Sequence, residues 1–200
     1  MDGERAPWLA GSRVTIIDGN CLPASEHRLQ ELRETAGRAL PGKSLLVYEP
    51  AQGLVTDVLP CEEGHAQERS LLRSVLTSVQ RDDLWSADRH GCTRALLTEI
   101  DSREGFFGIR EPQGLPWERG SPLRSCGRTP TGQLAQQRVS VVEEQGHKHV
   151  FRRLQITWDH ATRDGDKGRY ILTNFPCQVL AQHVAQLEKN RWKWATAFQH

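Results

Sequence analysis

The stretch Arg13–Asn20, R-V-T-I-I-D-G-N, decides the interpretation of the fold. Its run of β-branched residues predicts a short strand, and the Gly19-Asn20 turn signal predicts that the strand ends at Asp18. The stretch Leu84–Asp88, L-W-S-A-D, has the same form, a short strand with an aspartate at its carboxyl end. Ligands and catalytic groups gather at the carboxyl ends of strands in α/β sheets, so Asp18 and Asp88 are the first candidate site residues.

Strand and helix patterns alternate around these two stretches. Ser25 is a helix cap followed by apolar residues at helical spacing, and Pro41-Gly42 ends that helix. The other predicted elements are strands at 45–48 and 54–59, an amphipathic helix with apolar positions from 71 to 79 that ends at Asp82 and Asp83, a helix from about Thr93, and a strand at Phe106–Arg110.

The pattern changes after that strand. Residues 111–132 contain four prolines and four glycines without apolar periodicity, which predicts a loop or the entry to an insertion. Two strands, at 139–142 and 154–158, predict an inserted antiparallel element, and a turn at 162–168, a strand at 170–173 and a helix from Pro176 to the end follow it. The predicted class is α/β, a mixed sheet flanked by helices with a β insertion before the final helix.

Composition excludes several classes of protein. With 200 residues, 26% of them charged and 37% hydrophobic, the chain predicts one globular domain rather than a disordered or collagen-like protein. No apolar run approaches the roughly 18 residues of a membrane span, and residues 1–10 lack the apolar core of a signal peptide. We therefore expect a cytoplasmic protein without a membrane partner.

The net charge of +1 is unevenly distributed. Residues 1–144 sum to −4 and residues 145–200 to +5. This asymmetry favours a polyanion-facing last quarter, and a solvated basic face is the equally weighted alternative.

Cysteine and histidine spacing predicts no zinc site. The chain has five cysteines, an odd number, and none of them form a C-x-x-C pair: Cys21, Cys61, Cys92, Cys126 and Cys177. Neither a zinc motif nor a complete disulfide framework is indicated, so reduced thiols are expected. His147 and His149 share one face of a strand, but two further ligands are not in view.

Two converging carboxylates are the ligands that Mg²⁺ prefers, and a pair of such ions assists phosphoryl transfer. From residue types alone, an aspartate at a strand end is more often a turn or capping residue. Resemblance to a known family favours a metal site over a turn or capping role for Asp18 and Asp88.

Nine stretches, in chain order, resemble the DDE transposases of bacterial insertion sequences. They are R-V-T-I-I-D-G-N (13–20), A-S-E-H-R-L (24–29), L-P-G-K-S-L-L-V-Y (40–48), G-L-V-T-D-V (53–58), L-W-S-A-D-R-H-G-C-T-R (84–94), F-F-G-I-R (106–110), T-R-D-G-D (162–166), Y-I-L-T-N-F-P (170–176) and R-W-K-W-A-T-A-F-Q (191–199). The resemblance implies a ribonuclease-H-like core in residues 1–113, a loop and β insertion in 114–168, and a last core strand and signature helix in 169–200.

The resemblance also implies the catalytic residues. Asp18 matches the first catalytic aspartate and Asp88 the second, and both are expected to bind Mg²⁺, with Mn²⁺ as a possible substitute. The third acid of the family is a glutamate in the helix pattern Y-x2-R-x3-E-x6-K. Arg191 matches its arginine, whereas Ala195 occupies the glutamate position and Glu188 the tyrosine position. Because alanine has no oxygen ligand, we expect weakened metal binding and no transposition.

The same resemblance suggests DNA contacts at Arg191, Arg89, His90 and Trp158. Arg191 lies within an apolar stripe, so an ion pair to an aspartate is nearly as well supported as a phosphate contact. Trp158 lies in the insertion, which in relatives can carry an aromatic residue that receives an unstacked base.

Two functions follow from this resemblance. The first is a transposase catalytic-core fragment, truncated at both ends, for metal-dependent cleavage and strand transfer at transposon ends, associated with the bacterial nucleoid when DNA-bound. The alternative is a non-catalytic remnant that at most binds DNA or a full-length transposase, and a homodimer is compatible with either.

Overall fold

The computed structural model describes residues 12–21, 43–61, 74–87, 93–112, 114–163 and 165–196. The helix predicted from Ser25, and the predicted site residues Asp88, Arg89 and His90, lie outside these ranges. The described elements are β1 (Val14–Cys21), β2 (Lys43–Glu49), β3 (Leu54–Cys61), β4 (Leu84–Ala87), α1 (Arg94–Ser102), β5 (Phe106–Arg110), β6 (Glu118–Arg119), β7 (Arg124–Thr129), β8 (Gly132–Val142), β9 (Lys148–Trp158), β10 (Gly168–Thr173) and α2 (Ala181–Thr196).

The ten strands form one mixed sheet in the order β3-β2-β1-β4-β5-β10-β9-β8-β6, with β7 also paired to β8. β1, β2 and β3 are antiparallel neighbours, whereas β4 is parallel to β1 and β5 is parallel to β4. β10, β9 and β8 continue the sheet in antiparallel pairing from β5. The predicted mixed α/β class is confirmed, and the inserted strands extend the same sheet.

Alternation along the strands creates two buried faces. Trp85 and Phe107 point to the face that α1 covers with Leu96, Leu97 and Ile100. Their neighbours Leu84 and Phe106 point to the opposite face, where α2 packs through Val184 and Leu187. No helix among the described residues is long and apolar enough to cross a membrane.

The region predicted as a loop after β5 contains β6 and β7, and β8 and β9 are each 11 residues long. The prediction missed the beginning of β8 because Gln133, Gln136 and Gln137 interrupt the apolar alternation there. Pairing with β9 and β7 supplies the backbone partners that make these residues a strand.

Two helix predictions also require correction. The predicted helix with apolar positions from 71 to 79 is described only from residue 74; it is helical at residues 74–76 and ends before Asp82, and Val75, Leu76 and Val79 are buried as an apolar face requires. The final helix begins at Ala181 rather than at Pro176. Arg152 holds the preceding turn, because its Nη1 donates to the carbonyl oxygens of Pro176 and Val179 at 2.9 and 2.8 Å.

An ion pair fastens the amino-terminal ends of the two central parallel strands. Arg13, next to β1, donates through Nε and Nη2 to the carboxylate of Asp83, next to β4, at 3.0 and 2.5 Å. The Asp83 side chain is only 5% exposed, and its hydrogen bonds raise the pKa of the Arg13 guanidinium above its ordinary value. The amide of Leu84 donates to the carbonyl of Arg13 at 2.8 Å, so β1 and β4 are held in one register from their first residues.

We expect Asp83→Asn to lower the free energy of unfolding by about 1–2 kcal/mol, because it weakens charge-assisted hydrogen bonds to a half-exposed arginine. Asp82→Asn removes the same charge from an exposed neighbour at φ 64°, a conformation that asparagine tolerates, and is expected to be near neutral. Urea denaturation of both variants measures the difference, and equal effects would contradict the role of this ion pair.

Candidate functional site

The sheet brings the two aspartate-bearing stretches together at its centre. Ile17 of β1 and Ala87 of β4 are register partners in parallel pairing. Asp18 follows the first and Asp88 follows the second directly in the sequence. Partnered residues of neighbouring strands are separated by about 4.8 Å. β1 does not end at Asp18 as predicted, because it continues to Cys21 against β2, so Asp18 marks the point where the described β4 ends beside it.

Asp18 is half-buried and, by alternation with Ile17, belongs to the face of the sheet that carries α2. Arg110 of β5 belongs to the same face and lies three residues beyond Phe107, the register partner of Trp85. Its Nη2 is 3.8 Å from a carboxylate oxygen of Asp166. Arg110 was not among the site residues predicted from the sequence, and only the strand order identifies it.

Helix α2 carries the positions that resemble the family's signature helix. Leu187 is the nearest described neighbour of Gly108 on β5, so this part of the helix lies over the centre of the sheet. Arg191, one turn further along, is 3% exposed. This burial favours the structural alternative for Arg191 over a phosphate contact. Ala195 lies on the same helix, beyond the residues whose side chains are described.

Glu188 is held in a buried ion pair. Nη1 of Arg169 on β10 donates to both carboxylate oxygens of Glu188 at 2.7 Å, and the two side chains are 16% and 3% exposed. A carboxylate so engaged is already neutralised by a neighbouring charge. Glu188 therefore joins α2 to β10.

A cavity of about 390 Å³ opens beside this ion pair. Trp158 at the end of β9, the turn residues Pro130 and Thr131, and Lys189 of α2 line it together with Arg169 and Glu188. The Arg169 guanidinium carbon lies 5.9 Å from the centre of the Trp158 ring. The predicted DNA-contacting tryptophan thus stands in the wall of a cavity with a cationic neighbour.

The cavity and Asp18 belong to the same edge of the sheet. β9 ends at Trp158 and β10 begins at Gly168 on the edge where the parallel strands have their carboxyl ends, since β10 is antiparallel to β5. Within the described ranges, Arg163, Lys167 and Lys189 at this edge make no ion pair. These cations were not predicted, because single exposed basic residues carry no sequence signal for a site.

The two histidines considered for zinc contact carboxylates instead. His149 Nδ1 is 2.7 Å from Asp101 Oδ2, and His147 Nδ1 contacts Glu143. In the part of the chain that the structure describes, no group of three or more His, Cys, Asp or Glu side chains is arranged to hold a metal ion. Asp88 lies outside that part, so the predicted metal pair remains a prediction.

The sheet and its helices form a mixed α/β fold. A solved structure similar to this chain is the cryo-EM structure of a piggyBac transposase synaptic complex with hairpin DNA. The TM-score is 0.50 at 10% sequence identity, over 94% of this chain and 40% of that chain, and at this identity the likeness shows the fold alone. The sequence matches no protein-family profile and no curated protein.

We expect single substitutions of the Arg169–Glu188 pair to destabilise the fold strongly. Glu188→Ala leaves a largely buried guanidinium without its partner, which costs about 3–5 kcal/mol. The double variant Arg169→Met, Glu188→Leu removes both charges and is expected to recover most of that loss. Thermal and urea unfolding measure both, and a double variant no more stable than Glu188→Ala would contradict this account.

Proposed function

We propose that this chain is the ribonuclease-H-like core of a transposase-type DNA-processing protein, divided at residues 113 and 168 as the sequence predicts. Asp18 and Asp88 hold Mg²⁺ in this proposal. Because Ala195 stands in the third acidic position, we further propose that the chain does not complete cleavage and strand transfer.

The observation that carries the proposal is the register of Ile17 with Ala87 in the parallel pairing of β1 with β4. In a transposase-like fold, it supports two carboxylates at adjacent strand positions on the face that α2 covers. One or two carboxylates together with phosphate oxygens and water form the usual protein site for Mg²⁺. The donor set therefore fits one ion and lacks the third acid that a two-metal arrangement uses.

The chemistry proposed for each group follows from its position. A bound Mg²⁺ would polarise a DNA phosphate and lower the pKa of an attacking water, or of a 3′-hydroxyl in strand transfer. Asp18 and Asp88 would hold that ion through their carboxylate oxygens, and Arg110 supplies a guanidinium on the same face as Asp18 that can pair with a phosphate. Ala195 offers no oxygen ligand for a second ion, which is why we propose binding without complete catalysis.

DNA is the proposed partner at this edge. The cavity beside Trp158, flanked by Lys189 and by the exposed Arg163 and Lys167, suits an unstacked base with its phosphate outside. Arg89 and His90 follow Asp88 and remain proposed phosphate contacts, and Arg191 remains one only if α2 moves away from the sheet. Transposon ends as the DNA, and a full-length transposase as a protein partner, belong to the same proposal.

A non-catalytic DNA-binding remnant is the second candidate, favoured by one observation. The only glutamate in the described part of α2, Glu188, is neutralised by Arg169, so that part of the helix supplies no replacement for the missing acid. Activity of the chain and of an Ala195→Glu variant separates the two candidates.

Mn²⁺ binding tests the two aspartates without requiring catalysis. We expect Asp18→Asn to weaken Mn²⁺ binding by about tenfold or more, since it removes one of two charged oxygen ligands. Asp57→Asn, an exposed aspartate on the edge strand β3, is the charge-matched control and should bind as the unmodified chain does. The electron paramagnetic resonance signal of free Mn²⁺ measures the affinity, and equal affinities for both variants would remove the metal assignment.

Plasmid nicking tests the consequence of Ala195. We expect no Mn²⁺-dependent nicking by the unmodified chain above that of Asp88→Ala, and a gain in Ala195→Glu that disappears when Asp88 is also replaced. Nicking by the unmodified chain that depends on Asp88 would show that two carboxylates suffice. Failure of Ala195→Glu, with Mn²⁺ bound, would favour the remnant.

Trp158 is tested by comparing two DNA substrates. Trp158→Ala should weaken binding of a duplex with one unpaired terminal base by about 1–3 kcal/mol, while binding of the fully paired duplex changes little. Trp158→Phe retains a stacking ring and should keep most of the preference. Fluorescence anisotropy measures all four affinities, and an equal loss on both substrates would assign Trp158 to packing.

A further inference from the structure

Three arginines lie side by side on neighbouring strands of the inserted part of the sheet. Arg138 of β8 is the direct register partner of Arg152 of β9. Arg124 of β7 is the register partner of Gln136, which precedes Arg138 by two residues on the same face of β8. Directly opposed residues have Cβ atoms about 5 Å apart and diagonal neighbours about 7–8 Å. We call Arg124, Arg138 and Arg152 the arginine patch.

No described carboxylate neutralises the patch. Arg124 and Arg138 are exposed and make no ion pair within the described ranges. The half-buried Arg152 donates only to neutral oxygens, through Nη1 to the Pro176 and Val179 carbonyls and through Nη2 to Gln136 Oε1 at 2.7 Å. Burial lowers the pKa of the Arg152 guanidinium from its ordinary value, although arginine stays protonated in proteins at neutral pH.

The surroundings leave the positive charge in place. Glu118 of β6, the described carboxylate on the neighbouring edge strand, is bound by Lys148 Nζ at 2.9 Å. Val150, 60% exposed, lies on the same face of β9 two residues before Arg152. The surface thus offers guanidinium groups beside an apolar side chain, a combination that suits phosphate oxygens next to sugar carbons.

Like charges directly opposite each other destabilise a sheet, so an anion that bridges Arg138 and Arg152 removes an unfavourable interaction of the folded chain. Duplex DNA presents a negative charge about every 1.7 Å along its axis, and guanidinium groups bind phosphates through paired hydrogen bonds.

The patch is separate from the candidate active site. It shares the α2 face with Asp18 but lies five strands away, because β4, β5, β10 and β9 intervene between β1 and β8. Five strand spacings amount to roughly 24 Å along the sheet.

We infer that the arginine patch binds the phosphate backbone of duplex DNA as a second contact surface, separate from the edge that carries Asp18. The inference rests on the proposed function for the choice of DNA as partner. It does not depend on the metal site, on Trp158 or on catalysis.

Salt-dependent DNA binding tests the inference on the full chain. The probe is a fluorescein-labelled duplex of about 20 base pairs, titrated by anisotropy over roughly 50–200 mM salt. Arg124→Gln with Arg138→Gln should weaken binding several-fold and lower the slope of log affinity against log salt by about 0.9 for each phosphate that an arginine no longer neutralises, close to two in total. Both side chains are exposed, so thermal unfolding of this variant should match that of the unmodified chain.

The matched control is Arg81→Gln with Arg103→Gln, which removes the same charge from two exposed arginines outside the patch. It should keep the original slope. An unchanged slope in the patch variant, an equal loss in the control, or no binding by the unmodified chain at the lowest salt would each overturn the inference. Unchanged DNA affinity with loss of polyglutamate binding would overturn it in favour of an acidic protein surface.

The proposed function can fail independently. If Asp18→Asn keeps Mn²⁺ affinity while the patch variant loses DNA affinity, the metal assignment falls and the patch stands. If Asp18→Asn loses Mn²⁺ affinity and the patch variant binds DNA normally, the metal assignment stands and the inference about the patch falls.

Discussion

The parallel pairing of β1 with β4 is the constraint on which the arrangement of the candidate site depends. β1 pairs in antiparallel fashion with β2 and in parallel fashion with β4. It therefore joins the antiparallel strands β2 and β3 to the unit formed by β4, α1 and β5. A shift of one residue in this pairing would turn the buried side chains of β4, Leu84 and Trp85 among them, to the opposite faces of the sheet. The Arg13–Asp83 ion pair and the Leu84 amide oppose such a shift at the beginning of both strands.

The second determinant is the Arg169–Glu188 pair, which fixes how α2 lies on the sheet. In the proposed function, Glu188 stands where the resembling family has a tyrosine, and an unpaired carboxylate there would repel DNA. Arg169 forms a buried ion pair with Glu188, which neutralises that charge. The pair joins α2 to β10, and it also engages an arginine that lines the cavity, so neither side chain is available to a phosphate in this arrangement.

The sequence predicted the elements that have strong local signals. Phe106–Arg110 has the bounds that were predicted, and Thr93 caps α1 with Oγ1 accepting from the Leu96 amide at 3.1 Å. The strand β7 and the beginning of β8 were missed because their residues become strands through pairing across the chain rather than through apolar alternation. Asp83 was interpreted as a helix end, since nothing local to it indicates an ion pair with a residue 70 positions away. The two aspartates of the candidate site were identified from the sequence, by their positions at predicted strand ends and by the resemblance. Arg110 and Arg169 come near the site only through the strand order, which the sequence does not show.

The structure changes the picture of the charge distribution, because it shows which basic side chains form ion pairs. The surplus of positive charge in residues 145–200 suggested that this part faces a polyanion, yet Arg153 and Arg169 within it are bound to Glu111 and Glu188. Arg124 and Arg138, from the part of the chain with a negative sum, make no such pair within the described ranges. A basic side chain attracts a phosphate strongly only when its charge is not already neutralised by an ion pair with a neighbouring carboxylate. Local imbalance after pairing, rather than the sum over a segment, therefore determines which surface of this sheet DNA would meet.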